Sequence, residues 1–231
     1  MNESPQHIAF ILDGNRRWAT MHNLPVLSGH SKGYETAKFV VQLLPKYGVK
    51  YATLYAFSTE NWNRSKEEVD YLLNIFRDLF DDASDFMMKN DIRIVVIGNL
   101  EKLPNDILEK IKCIENLTKN NCLLTLMVAT SYGGRDEIIR AVKKIVQDKI
   151  EQKISMEHIT EETFASYLDT DGFPYPDAMV RTGEKRISNF LIWQSAYSEM
   201  FFLDKLWPDF NEDDLKYIIS EFLQRKRRYG K

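Results

Sequence analysis

Apolar residues follow two rhythms along this chain. Short, largely β-branched runs recur at residues 7–12, 51–57, 92–97, 123–129, 178–181 and 199–203, and several lack polar alternation. Strands buried on both faces read in this way. Between them lie longer stretches with helical spacing, at residues 31–47, 65–90, 104–119, 134–147 and 212–228. The second of these is the clearest. At about 100° per residue, Val69, Leu72, Leu73, Phe76, Phe80, Ala83 and Met87 share one stripe, while Asp78, Asp81 and Asp85 fall opposite. Strands alternating with helices predict an α/β fold with a central, mostly parallel six-stranded sheet flanked by helices. No repeat, low-complexity tract or Gly/Ser linker breaks the alternation, so a single domain over 1–231 is expected. Ligands of such folds gather at the carboxyl ends of strands.

Composition narrows the function without naming it. A hydrophobic fraction of 44%, with 13 Phe, 11 Tyr and 4 Trp, fills one sizeable core. The net charge of -3 gives no basic excess of the kind duplex binders carry, so no nucleic-acid partner is expected. The two cysteines, Cys113 and Cys122, are read as buried free thiols of a reducing compartment. The most apolar runs fall short of the ~20 residues that span a bilayer. The opening residues lack the basic-then-apolar order of an export signal. A cytoplasmic protein is expected.

The first strand runs into Asp13-Gly14-Asn15-Arg16-Arg17-Trp18. A carboxylate at a strand end, a glycine, a helix start with free amides and two arginines would together cradle a metal-bound diphosphate. A tight Asp-Gly-Asn turn with solvent-facing arginines accounts for the same residues. The stretch is also similar to the first motif of haloacid-dehalogenase-like phosphatases. Those enzymes need a nucleophilic Asp two positions before Asp13, where this chain has Ile11, so aspartyl-phosphate chemistry is excluded.

Longer motifs decide between the readings. Residues 7–19 are followed by Gly29-His30-Ser31-Lys32-Gly33, then by residues 53–64, ending Phe57-Ser58-Thr59-Glu60-Asn61-Trp62-Asn63-Arg64. Next come Tyr132-Gly133-Gly134-Arg135 and the run from Arg181-Thr182-Gly183-Glu184-Lys185-Arg186-Ile187-Ser188 to Gln194. Ala196-Tyr197-Ser198-Glu199 and Trp207-Pro208-Asp209-Phe210 complete the series. In this order and over nearly the whole length, the chain resembles the cis-prenyltransferase family, of the undecaprenyl diphosphate synthase type.

The resemblance implies a fold with a hydrophobic tunnel, walled by the 65–90 helix and neighbouring strands. It implies Mg²⁺-dependent condensation of isopentenyl diphosphate onto an allylic diphosphate, giving a long-chain polyprenyl diphosphate. By the same resemblance Asp13 is the Mg²⁺ carboxylate, assisted by Glu199. Gly14, Asn15, Arg17 and His30 surround the allylic diphosphate, Arg16 and Trp18 also bind substrate, and Arg181, Arg186 and Ser188 hold the isopentenyl diphosphate. Ser58, Asn61, Trp62 and Arg64 belong to a mobile segment closing over substrate, with Thr59 and Glu60 also binding it; the proton acceptor is either a diphosphate oxygen or a group near Asp13, Ser58 or Asn61. It further implies a homodimer, with residues 193–207 as a candidate interface and Arg228-Tyr229-Gly230 reaching a neighbouring subunit. Membrane contact is expected to be at most transient and peripheral. The residue chemistry agrees: two adjacent diphosphates repel, and several fixed cations and a metal are needed to hold them together.

Three features depart from the family pattern. Val26 stands where an Arg is usual, the loop from Arg181 to Glu184 is one residue short, and Ser131 replaces a common Asn. Val26 and the short loop motivate the alternative of a non-catalytic partner subunit. Asp81-Asp82-Ala83-Ser84-Asp85 matches the aspartate-rich signature of the all-helical trans-prenyltransferases. Opposite the apolar stripe it reads as a solvated face.

Overall fold

Strand β1 (His7–Ile11) is buried along its whole length and sits near the middle of the molecule. It pairs in parallel with β2 (Tyr51–Ser58) on one side and β5 (Ala178–Thr182) on the other. β3 (Ile92–Ile97), β4 (Leu124–Tyr132) and β6 (Glu199–Leu203) extend the sheet in the order β3-β4-β2-β1-β5-β6. Every pairing is parallel, so the carboxyl ends of all six strands face the same edge. The computed structural model describes residues 4–226, with the side chains of residues 79–83 left undescribed.

Alternation along β1 feeds two cores. Ile8 and Phe10 join the larger one, with Val40, Leu44, Phe76, Ile107, Trp207 and Phe222. Ala9 and Ile11 face a smaller one with Ala129, Tyr132, Met179 and Phe190. Helices α1 (Asn15–Met21), α2 (Val26–Leu43), α3 (Lys66–Lys89), α4 (Asn105–Thr118), α5 (Gly134–Ile150), α6 (Glu161–Ala165) and α7 (Glu212–Gln224) complete the fold. Ser65 caps α3 by accepting the Glu68 N–H, and Asn211 with Asp214 forms a reciprocal cap on α7.

The helix expected from residue 31 begins at Val26, just after Pro25. Gly29 and Gly33 disguise its first turns, since glycine costs a helix up to ~1 kcal/mol. Their reason is tertiary: a Cβ on Gly29 would lie 2.0 Å from the Asn15 carbonyl oxygen. The two glycines let α1 lie against α2. Tyr55 and Phe57 are successive partners of Ala129 and Thr130, so Ala56 forms a bulge at the end of β2. Bulges re-aim side chains beside functional sites.

The cysteine expectation is corrected: Cys113 and Cys122 are both free and exposed. Cys113 occupies the outer face of α4, and the Cys122 thiol donates to Asp91. The aromatic run 193–207 divides between roles. Trp207 is core and Tyr197 is exposed. Asp78 and Asp85 are exposed on α3, as the solvated-face reading requires, while the side chains of Asp81, Asp82, Phe80 and Ala83 lie outside the described residues. The tail motif at 228–230 also lies outside them. Among the described residues no helix is long and apolar enough to cross a membrane.

Candidate active site

A cavity of about 800 Å³ opens at the carboxyl ends of β1, β2 and β5. Asp13, just past β1, stands at its centre. The Asp13 carbonyl accepts hydrogen bonds from the Thr182 hydroxyl (2.8 Å) and the Trp207 N–H (2.9 Å), which fix the peptide. Gly14 follows at φ 109°, and a Cβ there would press on Leu206 at 2.7 Å, so only glycine turns the chain here. Helix α1 then starts with no side-chain cap. Its first amides are left for an external acceptor.

The Asp13 carboxylate, about one-third exposed, accepts from Arg181 at 2.7 Å and lies 3.4 Å from Arg17. Arg181 is 4% exposed and also donates to the Ser188 hydroxyl and the Arg186 carbonyl. Strand pairing opposite Ile11 and Phe202 holds it in place, so the short loop does not displace it. Gly183 stands at φ 77°, and a Cβ there would lie 2.5 Å from Arg17 Nη2, so the glycine gives Arg17 room to lie across the loop. Glu184 pairs with both Arg17 (3.2 Å) and Arg186 (3.1 Å).

A second carboxylate hub, Glu68, is tied to the cavity through His30 and Arg64, which line it. Glu68 pairs with Arg64 at 2.9 Å and Arg16 at 3.4 Å, and His30 Nε2 stands 3.8 Å away. Burial, then the nearby Arg64 cation, lowers the His30 pKa below its ordinary value, so the ring is neutral at pH 7. Among the described residues five buried polar side-chain atoms lack a hydrogen-bond partner, and three of them belong to residues lining this cavity: Asn15 Oδ1, His30 Nε2 and Arg181 Nε. Orphans of this kind mark a place meant for a ligand.

The expected residues do not all meet here. Asp13, Asn15, His30, Ser58, Glu60, Asn61, Arg64, Arg181 and Ser188 line the cavity. Gly14, Arg16, Arg17 and Arg186 act at its edge through the contacts above. Ser58 and Asn61 cap each other, the Asn61 amide oxygen accepting the Ser58 N–H at 3.0 Å. Trp62 points inward. Its indole N–H donates to Ser131 (3.0 Å) and its ring packs edge-on to Phe57, so the unusual Ser131 anchors the 59–63 turn. Trp18 stacks on His22 and donates to Asp209, and Thr59 donates to Glu60. Val26 opens α2, one turn before His30.

Glu199 opens β6 opposite Ala178, whereas Arg181 pairs with Phe202 further along, which puts Glu199 ~10 Å or more from Asp13 along the strands. Its carboxylate binds Arg225 at 2.8 Å. Three lining residues had no role in the sequence reading: Tyr55, Arg135 and Asn189. Arg135 had a signal, since a cation in the first turn of a helix opposes the helix dipole and calls for a reason.

Below the cationic cavity an apolar limb of about 120 Å³ runs between α2, α3 and the sheet. Leu12, Asn15, His30, Ala56 and Leu72 line both spaces; Phe76, Phe86, Ile94 and Trp207 line only the limb. The apolar limb and the charged mouth are thus neighbours across that shared wall.

Fold and site together define an α/β protein shaped for a ligand with a strongly anionic head and an apolar tail. The chain belongs to the prenyltransferase family described as "Putative undecaprenyl diphosphate synthase", whose profile matches residues 11–230. It is 46% identical to an isoprenyl transferase of Fusobacterium nucleatum over 98% of this chain and 96% of that one. It is 44% identical to the ditrans,polycis-undecaprenyl-diphosphate synthase, (2E,6E)-farnesyl-diphosphate specific, of Micrococcus luteus, over 98% and 91% of the two chains. The crystal structure of lavandulyl diphosphate synthase from Lavandula x intermedia, in complex with dimethylallyl diphosphate, superposes with a TM-score of 0.95 at 35% identity, covering 99% of each chain.

Proposed function

We propose that this chain, as one domain, is a cis-prenyltransferase that condenses isopentenyl diphosphate onto an allylic diphosphate, giving a long polyprenyl diphosphate of the undecaprenyl kind. One observation carries the reading: the cationic cavity and the apolar limb share a wall at Asn15, His30 and Ala56. A diphosphate can sit among arginines while its hydrocarbon enters the core. The relatives named isoprenyl transferase and undecaprenyl-diphosphate synthase support the same chemistry.

In this reading the free amides of α1, with Asn15, His30, Arg17 and Arg64, take the allylic diphosphate. Arg181, Arg186, Ser188 and Arg135 take the isopentenyl diphosphate. The allylic C–O bond breaks, the isopentenyl double bond attacks the cationic carbon, and a proton leaves to form the new double bond. Ser58 and Asn61 cap one another, so neither offers a strong base, and a diphosphate oxygen takes the proton. No covalent enzyme intermediate is needed; the work is positioning and charge neutralisation.

The residues fit Mg²⁺. Asp13 offers one hard, partly exposed carboxylate, and among the described residues no cluster of three acidic, His or Cys ligands exists. Asp13 would hold such an ion together with substrate oxygens and water, the kind of site that suits Mg²⁺. When bound, it neutralises diphosphate charge and stabilises the leaving group.

A homodimer is part of the reading. Ile139, Val142, Val146 and Ile150 form an exposed apolar stripe along α5 that suits a subunit interface. The cytoplasmic location and a transient membrane contact belong to it as well. The limb's 120 Å³ is below the ~300–1,000 Å³ of ordinary ligand pockets, so a long product must part the side chains of α3. The test is incorporation of labelled isopentenyl diphosphate onto farnesyl diphosphate, with and without Mg²⁺, sizing the products and running Asp13→Ala alongside. Long products that need both metal and Asp13 are expected. A folded enzyme that elongates no allylic starter would be a non-catalytic partner subunit, and short products only would move it toward the lavandulyl-type neighbour.

A further inference from the structure

Asn189 ties together three segments that meet at the cavity. Its side-chain N–H donates to Glu60 Oε1 at 2.9 Å, and its Oδ1 accepts the Arg135 N–H at 2.9 Å. Its carbonyl accepts the Gly134 N–H at 2.6 Å. The backbone is left-handed there, at φ 64°, directly after Ser188 at φ 45°. Two such residues in succession persist only when their surroundings hold them. Packing does so: a Cβ on Gly133 would lie 2.6 Å from Thr59 Oγ1 and 2.8 Å from Asn189 Nδ2.

The segments joined are the 59–63 turn, the start of α5, and the loop whose Ser188 accepts from Arg181. Glu60 enters this arrangement as a structural anion. A carboxylate aimed at a diphosphate would repel it, and Glu60 is turned instead to Asn189 and Thr59.

We propose that Asn189 is a positioning residue that couples the two diphosphate half-sites, so that filling one raises the affinity of the other. The inference rests on the two-diphosphate reading above. An allylic diphosphate held by Arg64, the residue that ends the 59–63 turn, steadies that turn. Glu60 then fixes Asn189, and Asn189 fixes Ser188 and, through it, Arg181. By linkage the coupling runs equally in the other direction.

The experiment measures dissociation constants by calorimetry with Mg²⁺ present. Isopentenyl diphosphate is titrated alone and against saturating farnesyl thiodiphosphate, whose sulfur link resists cleavage. In the wild type the second ligand is expected to tighten the first ~5-fold or more, the lower end of ordinary coupling. Asn189→Gly keeps the left-handed backbone open and removes the side chain; it should reduce the factor below ~2-fold. Glu60→Ala should do the same without touching the α5 contacts, so the test survives if Asn189→Gly misfolds. The exchanged pair Glu60→Gln with Asn189→Asp rebuilds the hydrogen bond with donor and acceptor reversed, and coupling should return. Wild-type ligands that bind without coupling overturn the inference and leave the site reading intact. So does undiminished coupling in folded Asn189→Gly and Glu60→Ala. A wild type that binds neither diphosphate overturns both.

Discussion

The Arg181 guanidinium, almost wholly buried, meets the one-third-exposed Asp13 carboxylate at 2.7 Å, bridging the carboxyl ends of adjacent strands β1 and β5. Removing Asp13 therefore does two separable things. It strands a buried cation, at a cost of about 2 kcal/mol, between the 3–5 of a buried pair and the 1 or less of an exposed one. It also removes the one carboxylate proposed for the metal. Asp13→Ala should lower turnover by ~10³-fold, and Asp13→Asn should lose similar activity with less loss of stability. Paired kinetic and urea-unfolding measurements separate the two.

His7 gives the fold an acid limit. Its ring is buried, with Nδ1 2.7 Å from the Pro174 carbonyl and Nε2 2.8 Å from the Thr53 hydroxyl. Burial lowers its pKa from 6.5 to about 4, against smaller raising effects of Pro174 and Asp177. Between those values the unfolded chain takes the proton and the folded one does not, so stability falls as pH drops through that window. The drop should reach about 3 kcal/mol from His7 alone. Unfolding free energies at pH 7.5 and 4.5 test it; the slope should flatten by that amount in His7→Gln.

Gly29→Ala should destabilise although it raises helix propensity. The gain of up to ~1 kcal/mol is outweighed by a Cβ 2.0 Å from the Asn15 carbonyl, where overpacking costs ~1–3 kcal/mol or more. α1 would move off α2 and carry its free amides with it. A lower melting temperature with a raised KM for the allylic diphosphate is expected.

Arg135→Ala tests a lining cation that the motif reading left without a role. The residue is exposed and its position opposes the α5 dipole, so its removal should leave the melting temperature unchanged. Losing one charged hydrogen bond of about 1.5 kcal/mol should raise the isopentenyl diphosphate KM ~10-fold. Steady-state kinetics with each substrate varied would show whether the effect is confined to that one.

Ala56 stands on the bulge of β2, at the junction of cavity and limb. Ala56→Leu should shorten the product distribution while leaving the first condensation close to wild type. Chromatographic sizing of labelled products reads the shift; an unchanged distribution would place the chain elsewhere.

Much of this was legible in the residues. The six apolar runs became six strands within a residue or two to three at either end, because burial on both faces leaves a signal that polar alternation would blur. Asp13, Arg181 and Ser188 converge because strand register, set by those runs, brings residues 13 and 181 to one edge. Helix α2 was misplaced at its start because Gly29 and Gly33 serve a neighbouring helix, a reason that exists only in three dimensions. Trp62 and Glu60, grouped with the substrate by their motif, spend their polar atoms on Ser131 and Asn189.

Phe76, Phe86, Met87 and Trp207 both seal the core and close the apolar limb. Heat tolerance and product size are thus set by the same few side chains. A variant selected to survive higher temperature through tighter packing of α3 would make shorter lipids, and one selected for longer lipids would melt sooner.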